Sequence, residues 1–373
     1  MRSLSPDGRV IVAGDFEQLA PILSAQYPQL QAQCLFGSVL DCLMHARRTR
    51  SEKANDRASD TFSSQDDAIS SQGTVVQLTE NFRLNPDLGE FVSTIYSRQF
   101  EHQKMQPREL GTTLKQAEEI VPSDLPISPS IIEAIRSFLV SLSNVILRKA
   151  QHLLKPPQLK LSLKQTTGIT TELDLNHRPI SLSLIRLKTW SSYSDHVSYE
   201  MHVHGEAAVA ASLVDFIQKC APNENIFVAT PHRIQREAVR NVLQQSRRSS
   251  PALEEAFGKL KLGSHMIGGQ VIVDTVERLQ GSEAAFVICL FSLPLAFLLE
   301  RRRLNVAISR AKTLCILVTS DEVLRPSVRI LANEDTAKGY AFLKAYEARA
   351  WSYDLSVDLD EYREGSFSQS QSQ

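Results

Sequence analysis

The chain has 373 residues, 42% of them hydrophobic and 22% charged, with a formal net charge of −1. Length predicts two or three domains, and the ordinary composition excludes a disordered or collagen-like chain. Near-neutrality excludes bulk charge as the means of holding a polyanion, so any such partner needs a local basic groove.

Val10 to Ala13 read as a short buried strand that ends in Gly14-Asp15 and leads into "FEQLAPI". Leu35, Val39, Leu43 and Ala46 recur at helical spacing. From Arg47 to Gly73 the sequence is polar, Ser- and Asp-rich and without apolar period, as expected of a flexible linker. "TVVQLTENF" restores a strand signal, and a helix is expected from Pro86 to Tyr96. Residues 101–176 read as an insertion in which Ile131, Ile135, Leu139, Leu142, Ile146 and Leu153 form the stripe of one long helix, a core or partner surface.

Strands and helices then alternate: "ISLSLIRL" and "GEAAVAASLVDFIQKC", "NIFVATP" and "RIQREAVRNVLQQ", the strands "GQVIVDTV" and "AFVICLFSL", "RRLNVAISRAK", "LCILVTS", and a last helix at Lys338 to Trp351. This alternation predicts an α/β fold: a parallel sheet with flanking helices, right-handed crossovers, and ligands at the carboxyl ends of the strands. From Asp354 the chain is acidic and then Ser-Gln-rich, a disordered tail.

The cysteines Cys34, Cys42, Cys220, Cys289 and Cys315 form no C-x-x-C pair and have no closely spaced histidine. Packed thiols, no metal site and an intracellular location, nuclear or cytoplasmic, are expected. No apolar run approaches the ~18 residues of a membrane span, and the start lacks the basic-then-apolar layout of a signal peptide, so no membrane partner is expected.

Four segments carry candidate chemistry. In "GDFEQLAPI" the carboxamide of Gln18 suits a terminal phosphate, which it meets without adding charge; capping a helix is the alternative. In "LTENFRLNP" the guanidinium of Arg83 suits a developing phosphoryl charge, or a surface pair with Glu80 or Glu90. "VIVDTVERLQGSEAAFVI" places Thr275 where its hydroxyl and N–H meet a nucleic-acid phosphate. Gly281 permits a tight turn there, and Glu283 can accept from ribose hydroxyls. In "RRRLNVAISRAK" Arg303 and Arg310, seven apart, are expected on one helix face, pointing into one cleft.

In this order and spacing, these segments resemble motifs III, IV, V and VI of superfamily 1 helicases, in particular the 1B group that includes the nonsense-mediated-decay helicase. "TVERLQGSE" and "LNVAISRAK" are close matches, and "ATPHRIQREAV" resembles the group's TPY-x-x-Q segment with His232 in place of the aromatic. Ala20 replaces the first of two prolines usual after Gln-Leu. The resemblance implies a RecA-like parallel sheet: a second RecA-like domain over 74–353, preceded by a remnant of the first over 1–46. It implies ATP with Mg²⁺ in the intact enzyme and single-stranded DNA or RNA as partner. Gln18 would meet the γ-phosphate, Arg83 and Arg310 would be arginine fingers, and Glu283, beside Gly281, would hold the ribose. Thr230, Pro231, Arg233, Thr275 and Val276 would contact the nucleic-acid backbone.

Such an enzyme also needs G-x-x-x-x-G-K-[ST] and an acidic pair for Mg²⁺. Neither is present in place: Gly258-Lys259 is followed by Leu260, and Asp321-Glu322 comes after the motif VI segment. The expectation is therefore a helicase's C-terminal portion that lacks the N-terminal half, binds no nucleotide tightly and is inactive alone. The alternative is a non-catalytic binding or scaffold module, with the 101–176 insertion as a protein-partner surface.

Overall fold

The structure, a computed structural model, describes residues 11–19, 40, 76–96, 98–103, 109–123, 125–154, 180–192, 197–248, 268–293 and 296–360. The chain forms two compact units, Met1–Leu78 and Thr79–Gln373.

In the first unit, Ile11 to Ala13 form no strand, and Ile11 is 93% exposed. This corrects the expectation for Val10 to Ala13, of which Val10 lies outside the described residues. An apolar run becomes a strand only when neighbours pair its N–H and C=O groups, and no described strand lies beside this one. The expected helix around Leu35 to Ala46 and the linker at 47–73 lie outside the described residues, apart from Leu40, which is helical.

The second unit begins with a shorter strand than the sequence suggests. In place of Thr74 to Phe82, β1 covers Glu80–Asn81 and pairs in parallel with β2, Glu101–His102. Val76, Leu78 and Phe82 are exposed, so the apolar run has no core to enter. Pro86 opens α1 (Pro86–Ser93), where its missing N–H costs nothing.

α2 (Leu110–Lys115) and α3 (Pro129–Leu154) follow. By length and composition α3 is apolar enough to cross a membrane, which corrects the sequence reading that no run approached that length. Its apolar stripe is instead core: Ile131, Ile135, Leu139 and Leu142 are fully buried, and Phe138 packs on Trp351 and Tyr353 at 5.6 and 5.5 Å. The stripe is therefore covered by the domain itself and is not a free partner surface; the side chain of Leu153 is outside the described residues.

The remaining elements are β3 (Leu182–Trp190), α4 (Tyr199–Cys220), β4 (Ile226–Thr230), α5 (Arg233–Arg248), β5 (Val271–Thr275), α6 (Val276–Leu279), β6 (Ala284–Phe291), α7 (Arg301–Ile308), β7 (Ala311–Thr319), α8 (Asp321–Leu324), α9 (Val328–Leu331), α10 (Glu334–Arg349) and β8 (Trp351–Asp358). The strands form a six-stranded sheet in the order β5-β4-β6-β7-β3-β8, with every pairing parallel. α4 packs with α5 and α7 with α10, the two helix layers that right-handed crossovers would give. This is the α/β arrangement that the alternation predicts, and it is the RecA-like parallel sheet that the resemblance implies. β4 and β6 are buried along their whole length, as strands covered on both faces must be.

β8 corrects the expected tail. Residues from Asp354 to Asp358 pair with β3 as far as Trp190, while 361–373 lie outside the described residues. Leu355 and Val357 point into the core and Ser356 points out. On the other face of the sheet, Phe91 stacks on Phe342 at 4.6 Å, and the Tyr346 hydroxyl donates to the Ser183 and Cys315 carbonyls at 3.0 and 3.1 Å. Cys220, Cys289 and Cys315 are buried free thiols.

Candidate functional site

The candidate residues of the second unit divide between the two ends of the sheet. At the amino ends of β6 and β7, Gly281 takes φ +87° and turns the chain out of α6. Glu283 then stands between two cations, Arg83 at 4.0 Å and Lys312 at 3.2 Å. All three side chains are about two-fifths exposed. Arg83 thus pairs with the proposed ribose acceptor at an accessible turn.

Arg310 differs from its expected place. α7 ends at Ile308, so Arg310 shares no helical face with Arg303, and the seven-residue spacing has no geometric meaning there. Its guanidinium is 2% exposed and donates to the carbonyls of Val306 (3.0 Å) and Ser282 (3.2 Å) and to Ser309 Oγ (3.2 Å). It clamps the Ser282 turn from beneath, one residue from the carboxylate that Arg83 approaches from outside. Arg303 is held by Glu277 and Glu300 at 3.1 and 3.4 Å.

These groups lie at amino ends, not at the carboxyl ends where the sequence reading placed every ligand. The reason is local: Gly281, Glu283 and Arg310 come just before strands, not after them.

At the carboxyl ends of β4 and β5, Thr230 and Thr275 are register partners. The Thr230 hydroxyl is buried and donates to the Asp274 carbonyl at 3.3 Å; Thr275 is 8% exposed, and Pro231 and Val276 are buried. Of the five predicted contacts, Arg233 presents an exposed side chain. Next to it, His232 is held below its ordinary pKa by burial and by Arg303, with Glu277 opposing.

Gln18 belongs to the first unit. Its carboxamide donates to Asp15 Oδ2 at 2.9 Å, and its backbone N–H bonds the Asp15 carbonyl, closing the turn that follows Gly14.

Sequence reasoning missed a buried polar chain beneath the carboxyl edge. Glu206 of α4 is fully buried and accepts from Gln235 Nε2 (2.5 Å) and Ser292 Oγ (2.6 Å). Ser292 also meets His202 Nε2 at 2.7 Å, and His202 Nδ1 meets Thr189 Oγ1 at 2.8 Å. Burial pushes Glu206 up to about 7 and His202 down to about 4. The network ties the carboxyl ends of β3 and β6 to the first turns of α4 and α5. Its signal was the carboxylate of Glu206 at the head of the mainly apolar "GEAAVAASLV".

No group of three or more His, Cys, Asp or Glu suited to a metal occurs among the described residues.

The parallel sheet and its flanking helices define an α/β domain of the RecA-like class. Residues 61–322, more than half of the chain, match the family AAA_12, AAA domain, and the chain belongs to that family. It is 31% identical over 134 residues to ECM32 of Saccharomyces cerevisiae, an ATP-dependent RNA helicase by name. That match covers 29% of this chain and 12% of the yeast protein, so the chain spans a small part of its curated relative. The large terminase ATPase domain of Thermus phage P74-26 is similar over 55% of this chain and 87% of its own, with 10% identity and a TM-score of 0.25.

Proposed function

We propose that this polypeptide is the second RecA-like domain, with motifs III to VI, of an intracellular, ATP-dependent translocase of superfamily 1, group 1B. Its substrates are ATP with Mg²⁺ and a DNA or RNA single strand. The observation that supports this most directly is the Arg83–Glu283–Lys312 cluster at the Gly281 turn, on the same α6 connection that begins at Thr275.

In this reading Glu283 accepts from the ribose hydroxyls, and Arg83, released from the carboxylate, turns to the phosphates. Arg310 reaches a phosphate only if the Ser282 turn opens; otherwise it fixes that turn. Gln18 is the γ-phosphate sensor that the resemblance implies. Thr275, with Thr230 and Pro231 beneath it and Val276 behind, offers its N–H and hydroxyl to a backbone phosphate, and Arg233 adds charge. An arginine finger is worth about 10³ to 10⁵ in rate only when other groups hold the triphosphate. The sequence contains no phosphate-cradling G-x-x-x-x-G-K-[ST], so the isolated chain does not turn over ATP.

Two measurements test this. The purified chain retains labelled single strands at low salt, and Arg233→Ala or Thr275→Val weakens retention. Its ATP turnover equals that of Arg310→Ala. Absence of strand binding at low salt, or turnover clearly above that variant, refutes the proposal.

A further inference from the structure

Arg233, Arg236 and Arg240 are spaced three and four apart on α5 and share one face. β5 is an outer strand of the sheet, with β4 its single partner there. Asp274, next to last in β5, gathers three guanidiniums: Arg236 at 3.2 Å, Arg240 at 3.4 Å and Arg278 at 3.9 Å. Its Oδ1 also accepts the Thr275 N–H at 2.8 Å. Glu237 answers Arg236 at 2.6 Å, so three arginines face two carboxylates on this flank, and exposed Arg233 lies on the same helix.

The arginines are not equivalent. Arg236 is nearly enclosed and stitches α5 to β5. Arg278 is 64% exposed and Arg240 36%, with Arg240 steadied by two bonds to the Val273 carbonyl at 3.0 and 2.6 Å. Such a side chain is both positioned and open. A guanidinium is weakly hydrated and presents a planar fork that suits phosphate oxygens.

Resting on the proposed function above, we infer that Arg240 and Arg278 seat backbone phosphates of the single strand beyond Thr275, carrying it off the carboxyl edge along the outer flank of β5 and α5. Asp274 offsets the repulsion among the guanidiniums and fixes where they stand. The guanidiniums still outnumber the carboxylates there, which leaves positive charge for the strand.

The test is the salt dependence of binding to fluorescein-labelled oligo-deoxythymidine and oligo-uridine, read by anisotropy. Each phosphate contact with a single strand contributes about 0.7 to the slope of log affinity against log salt. Arg240→Ala with Arg278→Ala should lower the slope by roughly 1.4, and Arg278→Ala alone by about 0.7. The double lysine variant, R240K/R278K, keeps the wild-type slope. If the double alanine variant melts early, exposed Arg278 decides by itself. An unchanged slope in Arg278→Ala, with Arg233→Ala still weakening binding, overturns this inference and leaves the proposed function standing. A wild-type chain that binds neither oligonucleotide overturns both.

Discussion

The buried Glu206–Ser292–His202 chain makes opposite demands on stability as pH changes. An acid whose pKa rises on folding contributes stability at low pH and loses it as pH climbs to the folded value. For Glu206 that window runs from its ordinary 4.5 to about 7. A base whose pKa falls on folding does the reverse, so His202 contributes stability above its ordinary 6.5 and loses it as pH falls to about 4. Each displacement corresponds to roughly 3 kcal/mol for a fully enclosed group, and to less for His202, which is partly open to solvent. Where the windows overlap the slopes oppose each other, and the wild-type network contributes little net pH dependence. Glu206→Gln preserves shape while removing one titration, so stability should rise with pH across the His202 window. His202→Asn should instead fall with pH across the Glu206 window. Urea denaturation midpoints across this range, compared with wild type, read the difference. Asp87, raised by burial to about 6, titrates alike in all three proteins and drops out. Parallel curves for wild type and Glu206→Gln would refute the reasoning.

Other substitutions test the fold around the sites. Leu355→Ala empties a buried position of β8 and should cost about 2–5 kcal/mol in chemical denaturation; a negligible loss would mean that β8 does not hold the sheet edge. Gly339→Ala places a Cβ 1.4 Å from the Leu299 carbonyl oxygen, so α10 must shift. Its thermal midpoint should drop sharply, by about 3 kcal/mol equivalent or more. Gly281→Ala meets no atom within 4 Å, and its cost is confined to the positive φ, about 1 kcal/mol, recovered in part by Asn. A loss as large as that of Gly339→Ala would show the turn to be packed rather than open.

Much of the sheet was legible because its strands announce themselves. "IFVA" and "AFVICLF" are apolar throughout, as strands covered on both faces must be, and they appear within β4 and β6. β8 was not read: its pattern is Trp351, Tyr353, Leu355 and Val357 alternating with Ser352, Asp354, Ser356 and Asp358, but its acidic residues resemble the tail that follows. What alternation can reveal, composition can hide at an edge strand, because one face and one margin remain in solvent. The opposite error came at Thr74 to Phe82, where apolar residues without a sheet neighbour stay exposed. The site was legible in residue types but not in partners. Glu206 meets groups 29 and 86 positions away, and only the folded sheet brings them together.

The division of candidate residues between the two ends of the sheet has a mechanical consequence for the proposed motor. One connection, from Thr275 through α6 to Ala284, runs from the carboxyl end of β5 to the amino end of β6. Val276 and Leu279 anchor it in the core, Arg303 holds Glu277, and Arg310 holds Ser282. A segment fixed at so many points transmits displacement rather than absorbing it, so movement of Glu283 on binding a nucleotide would reach Thr275 with little loss. Gly281 of this connection takes a φ of +87°, in the left-handed region. In the proposed motor the turn there would couple nucleotide and strand, and the buried Arg310, which holds the Ser282 carbonyl, would keep that coupling stiff.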